Sequence, residues 1–89
     1  MATYKVEFVK SAQKEFDRLA ANLQVKTTEA LNLLAQNPFS ELLKVKKLKG
    51  AVSLYRIRLG DYRVVYEIRN EQLIVLIIKI GHRREVYRR

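Results

Sequence analysis

The sequence predicts an α+β domain in which two N-terminal antiparallel helices pack on one face of a mostly antiparallel four-stranded sheet, in the order β-α-α-β-β-β. Three observations predict it. Residues on either side of Gly60-Asp61 alternate in polarity, the pattern of a hairpin around a tight turn. Ala12, Phe16, Leu19, Ala20 and Leu23 fall at i, i+4, i+7, i+8 and i+11, one apolar helical stripe. Leu73 to Ile80 runs almost without polar interruption, as a central strand buried on both faces would.

Taken in order, Tyr4, Val6 and Phe8 alternate with Lys5 and Glu7, the period of a half-buried strand. Ser11 can cap the first helix. A second helix follows Asn22, presents Leu31, Leu34 and Ala35 with Thr27 or Thr28 behind them, and stops at Asn37, because Pro38 disfavours helical geometry in the residue before it. Lys44, Lys46, Lys47 and Lys49, ahead of Gly50, read as a solvated loop. In the hairpin, Tyr55, Ile57, Leu59, Tyr62, Val64, Tyr66 and Ile68 share one face. Leu54, Arg56, Arg58, Arg63, Val65, Glu67 and Arg69 share the other. Gly60 supplies the positive φ of a primed turn, so Leu59 faces Tyr62, Arg58 faces Arg63 and Arg56 faces Val65.

Composition narrows the function. The 89 residues read as one domain, 1–89, and 48% of them are hydrophobic, so this is not a disordered basic tail. There is no Cys, which excludes disulfides and thiolate metal sites. The start of the chain lacks the apolar run of a signal peptide and no run is long enough to span a bilayer, so a cytoplasmic location is expected. The net charge is +9, and all of it falls after residue 43, since residues 1–43 hold five basic and five acidic residues. A small fold with one strongly basic half points to a polyanionic partner.

The hairpin register sharpens that reading. Like charges directly opposite one another destabilise a sheet, so Arg58 facing Arg63, with Arg56 two residues along, is an arrangement that chance decoration should avoid. Three guanidinium forks on an open face form a phosphate cradle; the plain alternative is solvated arginines that keep the strand soluble. Beyond the last strand, Gly81 lets the chain turn into His82-Arg83-Arg84-Glu85-Val86-Tyr87-Arg88-Arg89. Tyr87 either packs on the sheet edge, stacks on a base, or takes part in proton transfer. His82 is the one imidazole, a candidate acid or base that has no partners for a zinc site. The lysines at 44, 46, 47 and 49 could track a phosphate backbone. There is no Gly-rich phosphate loop, Ser/His/Asp set or paired-carboxylate motif.

Lys47-Leu48-Lys49-Gly50, Tyr55-Arg56-Ile57-Arg58, Tyr62-Arg63-Val64-Val65-Tyr66-Glu67 and Gly81-His82-Arg83-Arg84-Glu85-Val86-Tyr87 together resemble the RelE/ParE superfamily of type II toxins, over essentially the whole chain. Within it the RelE branch comprises ribosome-dependent endoribonucleases that cut messenger RNA in the decoding site, and the ParE branch acts on DNA gyrase. The basic and tyrosine positions look more like RelE. The resemblance implies catalytic roles for five residues: Arg63 on the transition-state phosphate, Arg83 in charge neutralisation or as general acid, Tyr87 stacking on a base or acting as general base, and Arg56 and Arg58 at positions that are lysines in the best-studied member. Arginine does not lose its proton, so Arg56 and Arg58 are better cast as phosphate clamps than as bases.

By their charge, Lys44, Lys46, Lys47, Lys49, Arg84 and Arg88 are candidates for RNA or ribosome contacts. The resemblance also implies a RelB-like antitoxin covering the basic face, the A site of the small ribosomal subunit, messenger RNA, operator DNA only in complex with antitoxin, no membrane, and no cofactor or metal. Two other functions stay open, a gyrase inhibitor on the same fold and a non-catalytic nucleic-acid-binding module.

Overall fold

The structure, a computed structural model, describes residues 3–48 and 53–82. Strand β1 (Lys5–Phe8) leads into helix α1 (Lys10–Asp17), then helix α2 (Ala21–Gln36), a 3-10 turn (Glu41–Leu43), and strands β2 (Lys46–Lys47), β3 (Leu54–Leu59), β4 (Tyr62–Arg69) and β5 (Ile74–His82). The sheet has five strands in the order β1-β5-β4-β3-β2, parallel between β1 and β5 and antiparallel elsewhere. The expected four strands thus become five. The addition is β2, a two-residue edge strand inside the lysine tract expected as a loop. Its Lys46 pairs with Arg56 and its Lys47 with Tyr55, and so short and charged an edge has no apolar alternation to announce it.

The helices differ from expectation at their junction. The apolar stripe from Ala12 to Leu23 is not one helix: α1 ends at Asp17, Ala20 is extended (φ −59°, ψ 151°), and Leu23 belongs to α2. Gln24 favours the break by donating its side-chain amide to the carbonyls of Phe16 (3.0 Å) and Asp17 (3.3 Å), two of the acceptors a helix end leaves over. Ser11 lies inside α1, whose N-cap is Val9. At the other end, α2 stops at Gln36, with Asn37 extended ahead of Pro38.

One apolar core lies between helices and sheet. Ala12, Ala30, Leu31 and Leu34 meet Ile57, Val64, Tyr66, Ile68, Val75, Ile77 and Ile80. Tyr66, fully buried, donates its hydroxyl to the Pro38 carbonyl at 2.9 Å and stacks on Tyr55 with ring centroids 6.0 Å apart. Burial, with a smaller contribution from Tyr55, pushes the Tyr66 phenol well above its ordinary range, so it stays protonated. Strand β5 is not buried on both faces: Val75, Ile77 and Ile80 are buried, whereas Ile74, Leu76 and Ile78 are only half-buried, because among the described residues helices cover one face alone. Leu73 falls in the preceding turn at φ 54°. The register shifts between Val65 and Tyr66, whose partners are Lys79 and Ile77, so Ile78 is the extra residue of a β-bulge.

Candidate nucleic-acid interface

The β3–β4 hairpin forms in the expected register. Leu59 pairs with Tyr62, Arg58 with Arg63 and Arg56 with Val65. Gly60 has φ 64° and Asp61 does not have positive φ, the pattern of a II′ turn, in which only the first central residue is left-handed. Side chains directly across an antiparallel pair share a face, so the register places Lys46, Arg56, Val65 and Lys79 in one row across β2, β3, β4 and β5, with Arg58, Arg63 and Gly81 in the next. Among the described residues no helix lies on this face. At roughly 4.8 Å between strands, the row spans about 14 Å, enough for a short run of single-stranded backbone.

The face was expected to be open, and it is so only in part. Arg58 is exposed, but Arg56 and Arg63 retain just 6% and 5% of their accessible surface. Both lie on inner strands of the sheet. Arg63 folds back along its own strand, its Nη1 donating to the Tyr62 carbonyl at 3.5 Å. The result pairs two guanidiniums held in low-dielectric surroundings with one that reaches solvent. Buried cations interact more strongly with an incoming anion than exposed ones do, since water screens them less.

The other candidates divide. Lys46 joins the arginine face, while Lys47, paired with Tyr55, has the parity of the helix side. Lys44 is exposed at φ 51°, closing the 3-10 turn. His82 pairs with Tyr62 and sets its ring edge-on to that residue's, 5.8 Å between centroids at 76°. Its side chain therefore shares the face of Tyr62 and Leu59, away from Arg58 and Arg63. Lys49, Arg83, Arg84, Tyr87 and Arg88 lie outside the described residues.

Two residues that sequence reasoning passed over sit at the edge of this face. Lys79 shares a row with Arg56, and its ammonium meets the Glu15 carboxylate of α1 at 2.6 Å; Glu15 also accepts the Ile80 backbone N–H at 2.9 Å. The one signal in the sequence was a lysine interrupting an otherwise apolar strand. Among the described residues no group of three or more His, Cys, Asp or Glu could hold a metal ion, and no helix is long and apolar enough to cross a membrane.

Comparison with known proteins agrees with this geometry. The mRNA interferase toxin RelE of Escherichia coli K12 is 30% identical over 88 residues, covering 94% of this chain and 90% of the relative. The RelE–RelB complex from Pyrococcus horikoshii contains a chain that superposes with a TM-score of 0.80 at 33% identity, covering 91% of this chain and 96% of that one. The intact E. coli RelBE toxin–antitoxin complex gives 0.78 at 28% identity, covering 89% and 95%. Residues 6–87 match the family described as the ParE toxin of type II toxin-antitoxin systems, parDE. Fold, basic face and relatives agree, and the chain belongs to the RelE/ParE superfamily of type II toxins.

Proposed function

We propose that this chain is the toxin of a type II pair that stops translation by cutting messenger RNA in the ribosomal A site. The observation that carries the proposal is the arginine face: Arg58 directly opposite Arg63, with Arg56 and Lys46 in the adjoining row. The proposal draws support from the E. coli relative named as an mRNA interferase.

The reaction asks little else of the protein. The 2′-oxygen of the messenger attacks its own phosphorus, the P–O5′ bond breaks, one proton leaves the 2′-hydroxyl and one reaches the 5′-oxygen. The pentavalent phosphorane between these states carries extra negative charge, and guanidiniums already fixed in a partly desolvated site stabilise it without reorganising. Arg63 and Arg56 are cast in that role, and the exposed Arg58 as the clamp that captures the phosphate. Arg83 and Tyr87 are assigned the proton-transfer and base-stacking roles that the resemblance implies, with Lys44, Lys46, Lys47, Lys49, Arg84 and Arg88 contacting RNA or ribosome. The ribosome bends the messenger, supplying in-line geometry. Arginine charge takes the place a divalent cation would fill, so cleavage is proposed to persist in EDTA.

A RelB-like antitoxin covering the basic face is the proposed partner, given the antitoxin complexes of two relatives. Operator DNA is proposed to bind only with it, and the site of action is the cytoplasm. Because the matched family is described by its ParE members, gyrase inhibition is the second reading. Inducible expression with mapping of messenger 5′ ends, with and without translating ribosomes, decides. Arg63→Ala and Arg83→Ala are expected to abolish growth arrest and cleavage while the circular dichroism spectrum is kept. Full toxicity in both variants refutes the proposal, and intact messenger beside blocked supercoiling selects gyrase.

A further inference from the structure

Strand β1 accompanies β5 only as far as Phe8 and Ile77; Val9 then donates to the Ile77 carbonyl at 3.0 Å, and the chain turns into α1. From Ile78 onward no strand among the described residues lies on that side of β5, yet this is the stretch that brings Gly81 opposite Arg63 and His82 opposite Tyr62. On its other side this stretch is paired with β4 through to Tyr62 and His82, and on the open side it is held by one carboxylate. Glu15, half-buried on α1, accepts the Ile80 N–H through Oε1 (2.9 Å) and the Lys79 ammonium through Oε2 (2.6 Å).

We infer that Glu15 is a positioning residue for the arginine site: its carboxylate replaces the missing neighbour strand and holds the end of β5 in the register that carries Gly81 past Arg63. An edge N–H next to a bulge, where the ladder is already interrupted, would otherwise exchange with water and let the strand end fray. The lysine offsets the carboxylate's charge, so a half-buried anion can lie beside a cationic face without weakening that face's hold on phosphate. The bond to Ile80, and not the ion pair, does the positioning. Two groups on one carboxylate make the roles separable.

The inference rests on the proposed messenger cleavage, and the experiment keeps the two apart. Cleavage on programmed ribosomes would be measured under single-turnover conditions for the parent chain, Glu15→Ala and Glu15→Gln, beside amide hydrogen exchange of each free protein. Glu15→Ala is expected to speed exchange at Ile80, Gly81 and His82 about tenfold, as loss of one hydrogen bond to a charged group implies, with the β3–β4 amides unchanged. Its cleavage rate constant should fall by about the same factor while half-saturation by ribosomes holds, because the binding surface is intact and the reacting geometry is not. Glu15→Gln loses the ion pair with Lys79 but still offers an oxygen to Ile80, and should recover both readouts to within about threefold. If Glu15→Ala does not fold, Glu15→Asp, one methylene short, is expected to show the same pattern.

A parent chain that leaves messenger intact overturns the nuclease reading itself. An active parent with unimpaired Glu15→Ala, or with Glu15→Gln as poor as Glu15→Ala, overturns the role of Glu15.

Discussion

Replacing Tyr66 with phenylalanine removes one oxygen atom from the middle of the core, where the side chain is fully buried and its hydroxyl donates to the buried Pro38 carbonyl at 2.9 Å. The ring remains, so its stacking on Tyr55 is kept. What is lost is the donor, and a buried carbonyl left without one costs about 1.5 kcal/mol. For a domain of this size that corresponds to a melting point lower by about 6–12 °C. Burial raises the folded phenol above its unfolded value, so the fold favours the protonated form. The stability tied to it is complete below the unfolded value of roughly 10 and is lost as pH climbs from there toward the folded value. The loss runs at about 1.4 kcal/mol per pH unit, so the parent's advantage over Tyr66→Phe should vanish near pH 11. Urea titrations followed by far-ultraviolet circular dichroism at pH 7, 9, 10.5 and 11 measure the gap, and other titrating groups cancel between the two chains. A gap that stays constant to pH 11, or is absent at pH 7, refutes the reasoning. Messenger cleavage at 25 °C should be unaffected, since Tyr66 lies on the helix side of β4.

Two further perturbations probe the hairpin. Gly60→Ala should destabilise by about 1–2 kcal/mol through backbone strain alone, because φ is 64° and an added Cβ would meet nothing within 4 Å. Gly60→Asn should recover part of that, and equal denaturation midpoints for all three chains would contradict the strain argument. Arg58→Gln, at an exposed position, should shift stability by no more than about 0.5 kcal/mol. Binding to RNA should meanwhile lose about one unit of salt slope, read from affinities across a salt series; an unchanged slope would make Arg58 a bystander.

The hairpin was legible because Gly60-Asp61 punctuates a strict alternation, and period two leaves no freedom about which residues share a face. Facing arginines follow from that register without any coordinate. The break between helices was not legible, since Leu19, Ala20 and Leu23 continue the stripe of Ala12 and Phe16, and the interruption depends on Gln24 reaching back to carbonyls eight and seven residues earlier. Nor was the depth of Arg56 and Arg63, because alternation fixes a face and says nothing of how far neighbouring side chains cover it. Nothing in the local sequence marks Glu15. Its partners are 64 and 65 positions away, beyond the range of any local pattern.

The parallel pairing of Lys5–Phe8 with Ile74–Ile77 joins the first strand made to the last. With synthesis running from the N-terminus at roughly 5–20 residues per second, β1 waits about 3–14 s for its partner. Until then Val6 and Phe8, both packed against the finished core, have no sheet to cover them, and α1 has no β5 for Glu15 to grip. A nascent chain therefore holds every arginine of the hairpin before it holds the strand that completes their face. The topology thus opens an interval in which an antitoxin can meet the toxin half-folded.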